Sequence, residues 1–334
     1  MNYALDELNF ETTIGDFGGI DNDREIPVID LSDFDHRREE IKEALWDAAT
    51  KVGFFQLSNH SIPISLIQNA FAQSAQFFAQ KMEIKQSVSL LEGENAGWEY
   101  KSQVRPSTGT PDEKESYQIT LPKMVGLWPD QELLPIFQPV LLHMEQQAWN
   151  LGMDILSCFA EKLGMDSDFF KSAHDRQSQQ YQSTLRLIHY LPITTDQPLA
   201  EGIWRAGAHT DFDCLTMVFQ KNGEGGLQVC PGKDTSSNIA SSNSINAWTD
   251  VEPRIDLITC NIGDMLMRWS DDKLRSTLHR VRMPNETEGN KARYSMAFFC
   301  QANKDQLIQG PLKKYQAITA SDYMKQRIQA NFKE

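Results

Sequence analysis

Hydrophobic and polar positions follow two different periods along this chain. In the N-terminal half, apolar residues recur every three or four positions, which is the spacing of a helix with one buried face. The clearest example joins Ile41, Leu45 and Ala48, and Gly53 ends the helix that they predict. The predicted helices cover about residues 41–52, 63–81, 133–163 and, near the C-terminus, 321–332. Short strands are predicted at residues 26–31, 54–57 and 117–120.

The second half of the chain is a series of short β-prone runs separated by turn residues. These runs lie at residues 184–191, 214–220, 226–230, 255–260, 264–269, 277–283 and 292–300. Such a succession predicts an antiparallel sandwich or barrel. Residues 234–246 are rich in Ser and Asn, so they are predicted to form a loop inserted into it.

The fold class predicted from these patterns is mainly β with flanking helices. A β-sandwich over residues 181–305 carries the chemistry, and a mostly helical region over 26–180 supports it. Residues 1–25 are polar and form an N-terminal extension, and residues 306–334 end in the C-terminal helix.

Charge and cysteine usage narrow the classes of partner. The chain has 32 basic and 46 acidic residues, a formal charge of −14, which is unfavourable for binding phosphate backbones. Its five cysteines are scattered and form no C-x-x-C pair, so neither a disulfide framework nor a zinc ribbon is indicated. The N-terminus lacks a signal-peptide pattern, and no run of about 18 apolar residues is present. We therefore expect a cytoplasmic protein without nucleic-acid or membrane partners.

Three side chains have the types and spacing of a mononuclear metal site. His209 and Asp211 lie two positions apart, and in an extended chain such residues point to the same side. A third ligand has to come from another strand, and His279 lies in a later β-prone run. Two imidazoles and one carboxylate leave one face of an octahedral ferrous ion open, although zinc accepts the same donors.

An arginine follows in a strand whose two faces are otherwise apolar. Alternation over residues 292–299 places Arg293 and Ser295 on one face, among apolar side chains. An unpaired buried guanidinium is costly, and its planar fork matches a carboxylate. The pattern allows two partners for Arg293: a ligand carboxylate, to which Ser295 adds a hydroxyl donor, or a distant internal Asp or Glu.

Taken in order along the chain, these residues resemble the isopenicillin N synthase-like 2-oxoglutarate/Fe(II) oxygenases. The family pattern H-x-D…H…R-x-S is matched by His209, Asp211, His279, Arg293 and Ser295. Further segments that resemble family motifs lie at residues 26–30, 53–60, 185–192 and 225–229. The likeness covers residues 25–305, and several ordered motifs together are specific where each alone is not.

This resemblance implies a double-stranded β-helix, or jelly roll, that holds non-haem Fe(II) through the two histidines and the aspartate. Arg293, Ser295 and Tyr190 would bind 2-oxoglutarate. O2 would be the second co-substrate and ascorbate an accessory reductant, with succinate and CO2 released. The substrate would be a small molecule, an amino acid or a secondary metabolite, and hydroxylation is the expected reaction.

Candidate substrate contacts follow from position and charge alone. Phe212 comes directly after the metal aspartate, and Arg105 and Arg205 are cations that can pair with a substrate carboxylate.

Three alternatives to this interpretation remain open. The first is an oxidase of the same fold that uses no 2-oxoglutarate, in which the Arg-Ser pair serves another carboxylate. The second is a zinc hydrolase, although the chain has no H-E-x-x-H motif. The third is a jelly-roll binding module without activity. A halogenase is disfavoured because halogenases of this chemistry lack the carboxylate that Asp211 supplies.

Overall fold

Two β-sheets form the centre of the molecule, and helices cover the outer face of the larger sheet. The computed structural model describes residues 20–21, 26–103, 111–192, 205–230, 247–284 and 289–331. Its helices are α1 (Arg38–Lys51), α2 (Ile64–Phe78), α3 (Met82–Gln86), α4 (Phe137–Lys162), α5 (Phe169–Ala173), α6 (Asp264–Trp269) and α7 (Ala320–Asn331). Its strands are β1 (Ile20–Asp21), β2 (Val28–Asp30), β3 (Phe54–Ser58), β4 (Gly97–Tyr100), β5 (Lys114–Ile119), β6 (Thr184–Tyr190), β7 (Ala206–His209), β8 (Leu215–Gln220), β9 (Leu227–Val229), β10 (Ala247–Asp250), β11 (Ile258–Ile262), β12 (His279–Val281), β13 (Arg293–Cys300), β14 (Leu307–Ile308) and β15 (Ile318–Thr319).

The strand order identifies the architecture. The larger sheet has the order β2-β3-β11-β8-β13-β6-β5-β4, and the smaller one has the order β1-β10-β9-β12-β7. Between β6 and β13 the chain crosses repeatedly from one sheet to the other, since β6, β8, β11 and β13 lie in the larger sheet and β7, β9, β10 and β12 in the smaller. These core strands pair antiparallel. The arrangement is a jelly roll, and it confirms the predicted fold class.

Apolar side chains from the two sheets meet between them. Ile188 and Ala297 on the larger sheet pack in one buried cluster with Leu227, Val229 and Val281 on the smaller. Side chains that alternate along a strand reach this space from every second position. The same alternation therefore decides which polar residues enter the interior.

The opposite face of the larger sheet is covered by helices. Leu185, Leu187, Met217 and Phe298 are fully buried there, in one core with α2 and α4. Burial of each such side chain contributes about 1.5–3 kcal/mol, which holds the sheet against the helices. The long helices predicted from apolar spacing are confirmed as α1, α2, α4 and α7, with α2 and α4 shorter than expected. Among the residues described, no helix combines the length and the apolar run that a membrane span requires.

A glycine turn joins α1 to β3 and lies against the chain that leads to His279. Gly53 has a φ of +76°, a conformation that favours glycine. A Cβ atom at this position would overlap with the carbonyl oxygen of Arg275 and the hydroxyl of Thr277. The close packing of this turn therefore helps to set where β12 begins.

The prediction of a strand at residues 264–269 is wrong, because these residues form helix α6. Met265 and Trp269 are fully buried one helical turn apart. The backbone N–H of Asp264 donates to the carbonyl oxygen of Asp211 at 2.8 Å. The first N–H group of this short helix is thus satisfied by a carbonyl oxygen in a loop more than 50 residues earlier. A local pattern of apolar residues does not reveal such a long-range hydrogen bond.

Candidate active site

The two histidines of the predicted metal site end one strand and begin its neighbour. His209 is the last residue of β7 and His279 the first of β12, and the two are paired across these antiparallel strands. Their ring centroids lie 4.3 Å apart. Asp211 lies in the turn directly after β7, beyond the extended segment. The antiparallel register and this turn together bring the three side chains to one place.

The ligand atoms of the three residues converge. Nε2 of His209 is 3.9 Å from Oδ1 of Asp211, and Nε2 of His279 is 3.7 Å from Oδ2. All three ligand atoms lie within 4.8 Å of one another. Two atoms that each lie about 2.1 Å from one ion are at most about 4.2 Å apart, and each histidine nitrogen lies within that distance of one oxygen of the Asp211 carboxylate.

Hydrogen bonds to the backbone fix the tautomer of both histidines. Nδ1 of His209 donates to the carbonyl oxygen of Gly207 at 2.7 Å, and Nδ1 of His279 to that of Thr277 at 3.4 Å. Because a carbonyl only accepts, the neutral ring carries its proton on Nδ1 and keeps a lone pair on Nε2. Each imidazole is therefore arranged to ligate through the nitrogen that faces Asp211.

Two neighbouring side chains donate hydrogen bonds to the carboxylate of Asp211. Its Oδ2 accepts hydrogen bonds from the hydroxyl of Thr216 at 2.6 Å and from the amide of Asn261 at 2.8 Å. Both hydrogen bonds that described residues give to this carboxylate reach Oδ2, so Oδ1 keeps its lone pairs for a metal. Sequence reasoning missed Thr216 and Asn261, because neither has a spacing that marks it as a partner of the aspartate.

A second aspartate, Asp213, lies beside the Thr216 hydroxyl that donates to Asp211. Asp213 is fully buried, and its two oxygens lie 3.2 and 3.1 Å from the Thr216 hydroxyl. Burial raises the pKa of the Asp213 carboxyl well above its ordinary value, and the nearby charge of Asp211 raises it further. The Thr216 hydroxyl thus lies within hydrogen-bond distance of both carboxylates, Asp211 and Asp213.

The three residues open onto a cavity of about 280 Å³ between the two sheets. Side chains on one face of β6, β8 and β13 form its wall. On β13 this face runs from Arg293 and Ser295 at one end to Phe299 at the other, and on β6 it runs from Tyr190 to Arg186. The cavity therefore has an arginine toward each end of this wall, and His209, Asp211 and His279 also line it.

Arg293 occupies one end of the cavity and is almost completely buried. Its Nε donates to the carbonyl oxygen of Glu224 at 2.9 Å, Nη1 to the hydroxyl of Ser295 at 3.3 Å, and Nη2 to Oε1 of Gln220 at 3.0 Å. The guanidinium carbon lies 4.9 Å from the ring centre of Tyr190. Three of its five N–H groups are thereby used by described residues, and two remain for a ligand. No described carboxylate pairs with Arg293.

Arg186 stands at the other end, and sequence reasoning missed it. Its guanidinium carbon lies 4.9 Å from the ring centre of Phe299, and Nη2 donates to Oε1 of Gln118 at 2.8 Å. Gln118 in turn donates to Glu99 at 3.0 Å. The available signal was alternation along β6, since Arg186 lies four positions before Tyr190 and hence on the same face.

The three residues predicted as substrate contacts have different outcomes. Phe212 lines the cavity. Arg205 is buried, donates to the carbonyl oxygen of Lys291 at 2.6 Å and is not among the described residues that line the cavity. Arg105 and the predicted loop at 234–246 lie outside the described residues.

Comparison with known proteins gives matches over most of the chain. Residues 26–132 match the family model described as the N-terminal region of non-haem dioxygenases in morphine synthesis, and residues 181–302 match that of the 2OG-Fe(II) oxygenase superfamily. The proline hydroxylase buaE of Petromyces alliaceus is 30% identical, with 84% of this chain and 88% of the relative covered. The 2-oxoglutarate-dependent dioxygenase thnC of Trichoderma harzianum is also 30% identical, covering 84% and 85%.

Solved structures agree with these matches. A full-length Neurospora crassa protein in complex with alpha-KG is 29% identical and superposes with a TM-score of 0.78, covering 94% of this chain and 97% of that one. The complex of the same Neurospora protein with alpha-KG and thymine also gives a TM-score of 0.78, at 29% identity, covering 94% and 99%.

Proposed function

Since this chain belongs to the 2-oxoglutarate/Fe(II) oxygenase superfamily and is a 2-oxoglutarate-dependent dioxygenase, we propose that His209, Asp211 and His279 hold its iron for hydroxylation of a small molecule. The observation that carries this assignment is the convergence of three ligand atoms within 4.8 Å at the cavity wall. Two Nε2 lone pairs and one carboxylate oxygen are donors that ferrous iron accepts, and they leave one face of the ion open. When bound there, ferrous iron with 2-oxoglutarate and O2 supplies the oxidising power, and the keto acid leaves as succinate and CO2.

Arg293, Ser295 and Tyr190 are the proposed anchor of the 2-oxoglutarate carboxylate that is remote from iron. The two N–H groups that Arg293 keeps suit a carboxylate bound by two parallel hydrogen bonds. Ser295 adds its hydroxyl, and Tyr190 limits the space above the guanidinium. This anchor favours the 2-oxoglutarate-dependent reaction over two of the alternatives, a zinc hydrolase and a binding module. The relative named a 2-oxoglutarate-dependent dioxygenase and the structure solved with alpha-KG favour it over the third, an oxidase of the same fold without 2-oxoglutarate.

The substrate is proposed to bind at the opposite end of the cavity, against Arg186, Phe299 and Phe212. An arginine held by Gln118 and stacked on a ring places a cation beside a flat apolar surface. Such a wall suits a small, flat molecule that carries a carbonyl or carboxylate oxygen.

The names of relatives suggest compounds to test first. The Neurospora protein has been solved with thymine and with 5-formyluracil, and one relative is named a proline hydroxylase. Each of these compounds is small and bears an oxygen acceptor next to a ring. A cytoplasmic location is also part of the proposal, and it is supported by five buried cysteines that are free thiols.

Anaerobic spectroscopy tests the metal assignment before any substrate is known. Fe(II) and 2-oxoglutarate added together to the wild-type protein are expected to produce a weak visible charge-transfer band. Asp211→Ala should lose the band and retain no iron, whereas Asp256→Asn, which alters an exposed carboxylate paired with Arg254, should keep both. Iron retention and an unchanged band in Asp211→Ala would refute the assignment.

A succinate-release screen tests the substrate class. Succinate formation is measured with thymine, 5-formyluracil or L-proline present. It is compared with succinate formation by the protein and 2-oxoglutarate without any of these compounds. We expect a compound of this class to raise succinate formation above the uncoupled rate, with loss of the increase in Arg186→Ala. Stimulation only by molecules without an oxygen acceptor would contradict the proposed role of Arg186.

A further inference from the structure

We propose that Arg327, on the C-terminal helix α7, is a positioning residue that fixes the metal-binding turn at residues 209–213 and closes the substrate end of the cavity. This inference rests on the proposed assignment of His209 and Asp211 as iron ligands. Arg327 itself does not line the cavity. It acts through the two residues that alternate with the ligands, Thr210 and Phe212.

Arg327 is connected to the turn by a buried ion pair. Its side chain and that of Asp264 at the start of α6 are both 0% exposed, and Nη2 of Arg327 pairs with Oδ2 of Asp264. The hydroxyl of Thr210 donates to the same oxygen at 3.0 Å and accepts from Nη2 of Arg327 at 3.3 Å. Thr210, which separates the two ligands, is therefore bonded to both members of the pair.

The far side of the turn is held by the same arginine. The guanidinium carbon of Arg327 lies 4.8 Å from the ring centre of Phe212. In addition, the backbone N–H of Asp264 donates to the carbonyl oxygen of Asp211 at 2.8 Å. The residue before Asp211, the residue after it and its own carbonyl group are thus all fixed by Arg327 or Asp264.

A buried ion pair is not an efficient means of stabilising a fold. Removing two charges from water offsets much of their attraction, and apolar side chains of similar volume often stabilise as well or better. The location of this pair is therefore the informative feature. It joins two helices far apart in the sequence at the one turn that supplies two of the three proposed iron ligands.

Helix α7 also forms part of the cavity. Met324 and Ile328 lie four positions apart, on one face of the helix, and both line the cavity. Arg327 precedes Ile328 and points into the protein beside them. Docking of this helix and ordering of the metal turn consequently depend on the same side chain, so loosening one is expected to loosen the other.

The test uses variants of the full chain. Arg327→Met removes the charge and the hydrogen bonds at similar length, and Arg327→Lys keeps the charge but loses the planar fork. Lys85→Met is the matched control, because Lys85 and Glu115 form another buried pair, at 2.8 Å and with 8% and 2% exposure, on the sheet face away from the cavity. Thr210→Val serves as a milder variant if Arg327→Met does not fold.

Three quantities are measured for each variant: the unfolding midpoint, the Fe(II) dissociation constant from anaerobic competition with a chromogenic chelator, and amide hydrogen exchange. We expect Arg327→Met to weaken Fe(II) binding by about tenfold or more, as loss of a residue that orients metal ligands typically does. Exchange should accelerate together at residues 209–213 and in α7. Arg327→Lys should recover part of the Fe(II) affinity, and Lys85→Met should lower the unfolding midpoint without changing that affinity.

The outcomes separate this inference from the proposed function. Wild-type Fe(II) affinity in Arg327→Met, or an equal loss in Lys85→Met, would show that the pair only stabilises the fold. When Arg327→Met is not folded, unchanged affinity and exchange in Thr210→Val would overturn the inference in the same way. Failure of the wild-type protein to bind Fe(II) in an Asp211-dependent manner would instead overturn the proposed function.

Discussion

Replacement of Arg293 offers a quantitative test of the co-substrate site. Arg293 is 2% exposed, so a ligand bound to its guanidinium is shielded from water. Three of its N–H groups are held by Glu224, Ser295 and Gln220, which fixes the direction of the remaining two. Arg293→Ala removes the whole fork, and Arg293→Lys keeps a charge that lacks the paired donors.

The expected magnitude follows from the number of bonds lost. A hydrogen bond to a charged group contributes about 1.5–3 kcal/mol, so two of them contribute about 3–6 kcal/mol. At about 1.4 kcal/mol for each factor of ten, Arg293→Ala should weaken 2-oxoglutarate binding by about 10²- to 10⁴-fold. The affinity of Arg293→Lys should fall between those of Arg293→Ala and the wild type. Ser295→Ala loses one hydrogen bond to the charged carboxylate and should weaken binding by about 10- to 10²-fold.

Anaerobic titration of 2-oxoglutarate into the iron-loaded protein gives the dissociation constant from the visible band, and succinate formation gives KM. Arg186→Ala is the matched control, because it removes an arginine from the other end of the same cavity. We expect it to leave 2-oxoglutarate affinity unchanged and to impair use of the substrate. A 2-oxoglutarate dissociation constant unchanged in a folded Arg293→Ala protein would refute the reasoning.

Three further predictions concern the surroundings of the site and the fold. Asn261→Ala should weaken Fe(II) binding by about tenfold, measured by chelator competition, because Oδ2 of Asp211 loses one of its two donors. Burial lowers the pKa of His174 to about 4, whereas the unfolded chain binds that proton near pH 6.5, so stability is lost as the pH falls through this window. In urea unfolding, the free energy of unfolding of the wild type should fall by about 2 kcal/mol between pH 7 and pH 5 because of His174. His174→Gln should lack this part of the decrease. Gly53→Ala should lower the unfolding midpoint strongly, because its methyl group would overlap with the Arg275 carbonyl, and a midpoint like that of the wild type would contradict this account.

Local patterns were sufficient for those parts of the site that lie on regular strands. The alternation around Arg293 predicted a buried guanidinium, and the structure places it at 2% exposure. The long amphipathic helices were predictable for the same reason, since their apolar faces repeat over several turns. The family resemblance, and with it the reaction class, followed from the order of several short motifs.

Features that depend on contacts across long sequence separations were not predictable. The sequence of residues 264–269 predicts a strand and gives no sign that their first N–H groups bond to the loop after β7. Arg327 lies in a polar helix, and its partner Asp264 precedes it by 63 positions. Both failures concern the surroundings of the Asp211 turn, where the fold brings together segments that are independent in the sequence.

The spacing of the two cavity arginines limits the size of the substrate. Arg293 is paired in register with Tyr190, which lies four residues after Arg186 on β6. At about 3.4 Å per residue, the two anchors are therefore about 14 Å apart along the sheet. In the proposed arrangement the keto acid is held between Arg293 and the iron ligands, and the substrate occupies the space between those ligands and Arg186. Under this proposal the oxidised carbon lies a few bonds from the oxygen that Arg186 binds, which favours a compact substrate.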